Sequence, residues 1–336
     1  MKNKILFLLC FVHFGLLSQN DSLPYTIYKN KIIVYADLGY ASAPFSLHYN
    51  YNTSVDKLRY KNNFRTILGF GVCYKWFALR IGIPLPGYFK PVSRFGKTIP
   101  IDLGFDFAIK KTFFDIDIRS YRGYAIIDAY KWNDTLNKLY PNDLKPTINT
   151  LSFSTNVWYF HDKHFKMSAL KGKTGHYEKE VKTWYIKNSL NVFGVGNGSQ
   201  SIVPSDLIDT LQTKTSASLI SSIDVGIIPG YAYVNKIKNW QFSALFGVGF
   251  AVQAKFYTAN EISRGFLGLA PRYDIRLIGG YSVPKFFVFV VTDFDNKSIR
   301  FNDFIYRQTY YSLKLLGGLR LDNKNEQKTS TKRKII

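Results

Sequence analysis

The feature that most constrains the fold is an alternation of large apolar residues with small or polar residues, repeated along much of the chain. It is clearest in Ile99–Ile109, where every second side chain is large and apolar and Asp102, Gly104, Asp106 and Ala108 lie between them. Successive side chains of a β-strand point to opposite faces, whereas a helical period of 3.6 cannot produce this pattern. The segment is therefore predicted to be a strand with one apolar and one polar face.

The same alternation predicts further strands, and their length is informative. It recurs in seven more segments, with numbers 64–74, 77–83, 114–119, 151–159, 240–253, 272–277 and 311–321. Several of them alternate for about 10 residues, the length that a tilted membrane strand needs. Strands of soluble sheets are most often about 5–6 residues long. The pattern favours a membrane β-barrel over a soluble β-sandwich, which remains the alternative.

The N-terminus indicates export. Lys2 and Lys4 precede the apolar run Ile5–Leu17, and Ser18 provides a small residue for cleavage. This is the layout of a secretory signal peptide, here assigned to residues 1–18, and the run is shorter than the roughly 20 residues of a membrane helix. Cleavage would leave one cysteine, Cys73, so an internal disulfide is excluded.

Later in the chain no apolar run is long enough for a membrane helix, yet 17% of all residues are aromatic. Membrane barrels carry aromatic girdles at both interfaces. Together with the export signal, this predicts an all-β, antiparallel, up-and-down transmembrane β-barrel in the outer membrane.

The connections predict the topology. Short turns are expected near Lys75, at 110–112, at 161–163, at 235–238 and at 283–285, and long outer loops at 52–63, 85–97, 125–147, 172–216, 256–270 and 294–308. Short periplasmic turns that alternate with long outer loops are typical of outer-membrane barrels, whose strand number is even. With a first strand near Phe45–Tyr51, the count closes at about 12 strands, within a range of 10 to 14.

This count treats 172–216 as one outer excursion. Trp184–Val195 within it is strand-like, and if it joins the wall with a partner, about 14 strands are expected. The resulting organisation is a signal peptide (1–18), an N-terminal periplasmic segment (19–42), the barrel (43–321) and a basic polar tail (322–336).

The formal net charge is +22, or +20 after removal of Lys2 and Lys4 with the signal. Such a charge favours anionic partners, here outer-membrane lipid and lipopolysaccharide, whereas export and the lack of a recognition motif exclude nucleic acid. Three predicted outer loops are basic; their cations are Lys57, Arg59 and Lys61, then Lys90, Arg94 and Lys97, then Lys171, Lys173, Lys179 and Lys182. Barrel assembly machinery is a further expected partner, and simple solvation of the loop lysines is the alternative for the basic loops.

The polar faces of the strands provide the candidate site. If the apolar faces meet lipid, a cluster of charges points into the lumen: Asp102, Asp106, Asp115, Asp117, Arg119, Arg272, Asp274 and Arg276. Arg65, Arg80 and Lys314 face inward by the same register. Carboxylates this close repel unless cations intervene, so a charge lattice that fills a narrow lumen is the leading interpretation. A polar pore or a Ca²⁺ or Mg²⁺ site built from the aspartates are the alternatives.

Support for an enzyme is weak. His161 and His164 flank Asp162 in a predicted turn, and His176 and His48 have no partner nearby in the sequence. There is no Gly-x-Ser-x-Gly elbow, and Gly247 and Gly249 alternate within a strand rather than forming a phosphate loop. The sequence therefore predicts no catalytic residues, metal or cofactor, and an envelope hydrolase is kept as an alternative function.

The order of several short motifs resembles an uncharacterised outer-membrane barrel family of Bacteroidetes, the domain of unknown function 4421. The motifs are Gly69-Phe70-Gly71 with Tyr74 and Arg80-Ile81-Gly82, Gly104-Phe105-Asp106-Phe107 leading to Arg119 and to Tyr121–Tyr124, Gly230–Tyr233 followed by Asn239-Trp240, and Gly279-Gly280-Tyr281. The resemblance covers most of the mature chain and implies a signal-bearing barrel without an assigned activity. The Lys-rich stretch 163–188 and the basic tail depart from the pattern.

Overall fold

The computed structural model describes residues 23–28, 30–52, 55–75, 77–109 and 112–322. The predicted signal peptide and all but the first residue of the predicted basic tail lie outside the described residues. So does the connection between Ile109 and Thr112, where a short turn is predicted.

The described part of the chain is dominated by strands. They are β1 (Tyr25–Ile27), β2 (Lys31–Ser42), β3 (Phe45–Asn52), β4 (Val55–Lys61), β5 (Thr66–Tyr74), β6 (Phe77–Pro84), β7 (Ile99–Ile109), β8 (Thr112–Ile126), β9 (Asp143–Phe160), β10 (Gly175–Tyr177), β11 (Val181–Gly196), β12 (Leu219–Ile237), β13 (Trp240–Ala259), β14 (Ile262–Ser282), β15 (Phe286–Phe301) and β16 (Phe304–Asp322). Two single-turn helices, α1 (Val92–Phe95) and α2 (Met167–Leu170), accompany them. None of the described helices is long and apolar enough to span a bilayer.

Within the described residues, twelve strands form a closed antiparallel ring. Its order is β2-β5-β6-β7-β8-β9-β11-β12-β13-β14-β15-β16, and β16 pairs back onto β2 from Tyr311↔Ser42 to Asp322↔Lys31. The up-and-down barrel and the predicted count of about 12 are therefore confirmed. Closure leaves the ring without an open edge, which is the condition for a sheet in a membrane. We call the end with Lys31 and Asp322 the terminal end and the opposite end the distal end.

Burial on the wall is inverted relative to a soluble protein. On β13, Phe242, Phe246 and Phe250 are about half exposed, whereas Gln241 and Gln253 on the opposite face are buried. On β6, Leu79, Ile81 and Ile83 are exposed on either side of the inward-facing Arg80. A soluble sandwich would place its apolar face in the core. A sheet with an apolar outer surface and a polar interior is that of a membrane barrel.

The first wall strand differs from the prediction. β2 pairs with both β16 and β5, so the wall begins at Lys31 and the predicted periplasmic segment 19–42 is wrong over its second half. The predicted first strand near Phe45–Tyr51 is instead β3, which forms a hairpin with β4 that bridges β16 and β8 at the distal end. Apolar residues lie on both faces of β2. Its sequence therefore shows no clear alternation, and it does not predict a strand of the barrel wall.

The segment 172–216 is not a single outer excursion. β11 lies in the wall, paired with β12 over its full length and with β9 from Tyr185 to Gly196, and the count stays at twelve rather than rising to fourteen. The predicted short turn at 161–163 is in fact the start of a connection over 161–180 at the terminal end, with α2 and β10 inside it. We call this connection the plug. The predicted even strand count required a wall strand between the turn at 161–163 and the loop at 172, and the plug lies there instead.

Two predicted long loops are also wrong. β13 and β14 continue to a two-residue turn at Asn260-Glu261, where both residues have positive φ, and β15 and β16 meet at Asn302-Asp303. Positive φ at both central residues is the geometry of the hairpin turn that matches the twist of its strands. Residues 262–267 of β14 are exposed in the first of these hairpins, where alternation of apolar and polar residues is not required, so the sequence there looks like loop. In the second hairpin Ile299, Phe301 and Phe304 are buried.

Candidate functional site

The lumen is the candidate site, because the wall directs its charged side chains there. All eight residues of the predicted cluster point inward from β7, β8 and β14, the strands whose alternation predicted them. Arg65 does not: it lies before β5 at the distal end, where it donates to the backbone oxygen of Leu85 and contacts Tyr88. The structure shows how the inward charges are paired.

Asp102 belongs to a network centred on Arg80. The guanidinium of Arg80 contacts Asp37 through Nε at 2.6 Å and Nη2 at 2.8 Å, and it contacts Asp102 through Nη1 at 2.9 Å. Lys314 Nζ lies 3.5 Å from the same Asp102 oxygen. Two nearly inaccessible carboxylates are thereby held by one bidentate arginine and a lysine, the geometry that compensates best for loss of water.

Asp115 and Asp117 lie beside two further arginines. Arg276 contacts Asp293 at 2.6 Å and Asp115 at 3.7 Å, and Arg119 contacts Asp117 at 3.0 Å. The Arg119 guanidinium also lies 3.8 Å from the ring centre of Tyr310. The cations that the aspartates require are thus supplied by side chains across the lumen as well as by strand neighbours.

Arg272 and Asp274 take part in separate pairs nearer the distal end. Arg272 contacts Asp224, which also accepts a hydrogen bond from Asn191 at 2.8 Å. Asp274 is held by Lys187 Nζ at 2.9 Å and by the hydroxyl of Tyr185 at 3.0 Å. A further inward pair joins Lys297 to Asp295 at 3.5 Å.

Asp106 lies near the terminal end, and its partners come from the plug. Lys171 and Lys173 reach it from 3.5 and 3.4 Å, and Lys173 also donates to the hydroxyl of Tyr35 at 3.0 Å. Both lysines were assigned to an outer loop by the sequence. That assignment is wrong, because the plug follows the terminal end of β9 and turns into the lumen.

The charged layer leaves little free space. Each carboxylate described above lies within 3.7 Å of a cation, and the cavity between them measures about 90 Å³. Charges in such a layer are expensive to separate, since removal of one partner leaves a buried charge uncompensated. The arrangement is that of a filled, salt-bridged layer across the barrel.

The distal end is closed by an aromatic core. Phe45 stacks on Tyr60 at 4.3 Å between ring centres, and Tyr124 and Tyr306 pack on the same ring. The connection 197–218 lies against this core: Ile202, Val203 and Leu207 are buried in it, and Tyr60 donates to the backbone oxygen of Ile202 at 2.8 Å. Apolar packing therefore covers the lumen on this side of the charged layer.

The plug occupies part of the terminal end. β10 pairs with β1, and Phe165, Met167 and Leu170 are buried against inward residues of the wall. The amide of Gln241 on β13 donates to the oxygens of Leu170 and Ala169 at 2.9 and 3.3 Å, and its oxygen accepts from Tyr177 N–H at 3.1 Å. The wall thus provides hydrogen-bond partners for backbone groups that the plug brings into the lumen.

The histidines do not form a catalytic arrangement among the described residues. His161 stacks on Trp184, and His164 contacts Asp162 in the turn at the start of the plug. His176 on β10 shares a hydrogen bond with the Tyr28 hydroxyl at 2.9 Å and contacts Glu178 at 2.7 Å, and burial lowers its pKa below the usual value. No group of three potential metal ligands is present in the described part of the chain.

Several lumen residues were missed by the sequence reasoning. Asp37 lies in β2, Asp293 lies just before the predicted loop 294–308, and Lys187, Asp295 and Lys297 lie in segments interpreted as loops. The spacing of Asp293, Asp295 and Lys297 at every second position was a usable signal. The sequence contains no such signal for Lys171 and Lys173, because the residues of a plug do not alternate between two faces as those of a wall strand do.

Comparison with known proteins gives a family and a fold class. A family model described as a domain of unknown function, DUF4421, matches residues 19–320. No curated protein matches the chain. Two solved structures are similar at 8% identity: the outer membrane protease OmpT of Escherichia coli (90% of this chain, 99% of that one, TM-score 0.40) and the toluene transporter TodX of Pseudomonas putida (88% and 90%, TM-score 0.30).

Proposed function

The chain belongs to the family of the domain of unknown function 4421, and from this premise we propose that it is an exported outer-membrane barrel with a structural role and no open pore. The observation that carries this proposal is the sequence of three barriers along the lumen. The plug, the salt-bridged layer and the distal aromatic core follow one another from the terminal to the distal end. Of the two roles weighed from the sequence, structural barrel and narrow pore, a filled lumen favours the first.

The outer membrane as location is supported by the apolar exterior and by the export signal in the sequence. We propose that the terminal end faces the periplasm and the distal end faces outward. The barrel assembly machinery is the proposed partner that inserts the protein into the membrane. The distal end then presents Lys57 and Arg59 on β4, and Arg94 and Lys97 near α1, all exposed. These cations suit the phosphates of lipopolysaccharide, an attraction that weakens as salt rises.

The test is single-channel recording on the refolded full-length protein in planar bilayers. A filled lumen predicts no discrete conductance steps under conditions in which a porin, inserted in the same way, conducts. The inserted state is verified by flotation of the protein with lipid vesicles. Reproducible unitary steps from verified, inserted protein would overturn the structural role and favour the narrow pore.

A further inference from the structure

The outer face of β16 changes from apolar to polar along its length. Leu313, Leu321 and the leucines between them on this face are exposed. Tyr311 follows them towards the distal end and makes a T-shaped contact with Tyr40 of β2, with 6.5 Å between the ring centres. The stretch from Tyr311 to Leu321 has the length with which a tilted strand crosses the apolar core of a bilayer, about 9–11 residues. The two tyrosines therefore mark the distal interface, where membrane barrels carry aromatic residues.

The sheet continues past this interface on the side of β16. β3 follows β2 along β16 in the same register, and β4 pairs with β3 and then with β8. Phe45 of β3 and Tyr60 of β4 point into the distal aromatic core, so the residues next to them in the strands point outward. The predicted outer loop 52–63 is therefore largely strand, and the sheet fixes the positions of its cations.

Cations are concentrated on the outward side of this extension. All five of those that we call the basic face are exposed: Lys57, Arg59 and Lys61 on β4, Arg300 on β15 and Arg307 on β16. The strand pairing places four of them in two rows across the sheet, Arg307–Ser46–Arg59 and Arg300–Ile305–His48–Lys57. Neighbouring strands are about 4.7–4.9 Å apart, so the backbone positions of Arg307 and Arg59 are separated by roughly 10 Å.

The basic face is not neutralised by the protein itself. Within the described residues, no carboxylate forms a salt bridge with any of its five cations. His48 lies between two of them and shares a hydrogen bond with the Ser46 hydroxyl at 3.1 Å. Burial lowers the pKa of His48, Lys57 and Arg307 lower it further, and Asp56 raises it. The positive charge around this histidine therefore exceeds the negative charge.

Lys90 adds a further cation beside the distal interface. The buried side chain of Asn63 fixes its backbone, because it accepts a hydrogen bond from the Lys90 N–H at 3.3 Å and donates one to the Lys90 oxygen at 3.0 Å. The Lys90 ammonium lies 5.8 Å from the ring centre of Phe64, which stacks on Tyr40. Burial lowers the pKa of Lys90, and the charge of Lys61 lowers it further. Lys90 and Lys61 are thus close to each other at the level of the aromatic residues.

The distal end is not equally basic all round. The outward residues in the distal parts of β12 and β13 carry no charge, and Leu219, Ile223 and Phe256 are exposed there. Lys214, in the connection between β11 and β12, is paired with Asp303 at 3.0 Å. The basic face is therefore a local feature of the side formed by β15, β16, β3 and β4.

From this arrangement we propose that the basic face binds the head of an outer-leaflet lipid that carries more than one phosphate, as lipopolysaccharide does. The phosphates lie against Arg59, Lys61 and Arg307, and the acyl chains lie along the exposed leucines of β16. This inference rests on the outward orientation given under the proposed function, and it adds the position of the site and the chemistry of the head.

Two observations favour such a lipid over a soluble anion with one charge. The cations adjoin the apolar band directly, on the strand that carries the exposed leucines. An arginine can donate to two phosphate oxygens at once. Arginines roughly 10 Å apart on one rigid sheet therefore suit two phosphates of one head better than a single phosphate.

The experiment measures the binding of three lipids to the full-length protein in detergent by native mass spectrometry. The lipids are diphosphoryl lipid A, monophosphoryl lipid A and phosphatidylethanolamine. Diphosphoryl lipid A is expected to bind at a concentration at least about tenfold lower than phosphatidylethanolamine, with the monophosphoryl form between them, because basic residues at a membrane surface attract anionic heads. Equal binding of the three lipids overturns the proposal.

A competition experiment separates a lipid from a soluble anionic glycan. The competitor is colominic acid, a polyanionic polysaccharide without acyl chains. It is expected to leave bound diphosphoryl lipid A in place when both are present at equal concentrations of negative charge. Displacement under these conditions assigns the basic face to anionic glycans and overturns the assignment to a lipid.

The position of the site is tested by removing two of its cations. Arg59→Gln with Arg307→Gln is expected to weaken binding of diphosphoryl lipid A about tenfold or more and to leave binding of phosphatidylethanolamine unchanged. The matched control is Lys182→Gln with Lys285→Gln, which removes two exposed cations at the terminal end. The control changes the net charge by the same amount and is expected to bind as the unmodified protein does.

Equal weakening in both double variants assigns the binding to overall charge and overturns the proposal. Faster migration of each unheated variant on a gel verifies that the barrel is folded. If the arginine variant does not fold, Lys57→Gln with Lys61→Gln takes its place with the same expected loss. Conductance is not measured in these experiments, so the structural role and the lipid site can fail independently.

Discussion

At the scale of single residues, the lumen shows why so many charges are tolerated inside this barrel. Asp37 and Asp102 are each only 3% exposed, and one guanidinium serves both. Buried ion pairs of this kind add little net stability. Removing one partner is nevertheless costly, because the charge that remains is buried away from water without a counterion. The lattice therefore constrains sequence more strongly than it stabilises the fold.

The corresponding prediction concerns Arg80→Met. This substitution keeps an aliphatic side chain but leaves Asp37 without its cation, since Lys314 contacts only Asp102. The free energy of unfolding is expected to fall by about 3–5 kcal/mol, measured by urea titration of the protein in lipid vesicles. Arg264→Met is the control, because Arg264 is exposed on the distal part of β14.

A second variant separates the charge effect from the loss of packing. Arg80→Met combined with Asp37→Leu removes the orphaned carboxylate, so the double variant is expected to be more stable than Arg80→Met alone. If Arg80→Met lowers the free energy of unfolding no more than Arg264→Met does, the charges of the lumen do not form a coupled network and the interpretation of the lumen is wrong.

At the scale of elements, the sequence predicts those strands that lie half in lipid and half in the lumen. β7, β8 and β13 are examples, because only a wall with two different environments imposes a period of two over about 10 residues. β2 carries apolar residues on both faces and the distal part of β14 is exposed hairpin, so neither shows the period. β15 does show it, at Asp293, Asp295 and Lys297, in a segment interpreted partly as loop. The plug was not predictable, since it is a connection that folds back against the wall and its contacts are all tertiary.

The wall position of β11 is the element on which the corrected topology depends. Thr155 on β9 is paired with Leu190 on β11, and both lie on the outer face. Directly opposed residues of antiparallel strands are about 4.5–5.5 Å apart at Cα, within the range of a disulfide. In a Cys73→Ser background, Thr155→Cys with Leu190→Cys is expected to form a disulfide efficiently, seen as a mobility shift on a non-reducing gel.

The control pair is Thr155→Cys with Val192→Cys, which is two residues out of register on the same face. Diagonal neighbours are about 7–8 Å apart, too far for an unstrained disulfide. Equal crosslinking of the two pairs, or crosslinking of neither, would show that β11 is not held in this register beside β9.

At the scale of the whole molecule, three properties belong together: a closed ring, an apolar exterior and a charged, occupied interior. Closure gives the backbone N–H and C=O groups of the wall strands hydrogen-bond partners. The apolar exterior requires lipid around it. The interior lacks bulk water, so its charged groups must be paired with one another. The candidate site was predictable only in part at this scale. The inward charges of β7, β8 and β14 followed from the sequence, whereas the plug lysines reach the lumen only because distant segments meet at the terminal end.

The most direct test of a closed barrel in the outer membrane is migration on a denaturing gel, with and without prior heating, of the protein recovered from fractionated membranes. A closed barrel resists detergent until it is boiled, so the unheated protein is expected in the outer-membrane fraction and is expected to migrate faster than the heated protein. A soluble β protein, the alternative left open by the sequence, would appear in the periplasmic fraction. Recovery there, with the same migration before and after heating, would contradict the account.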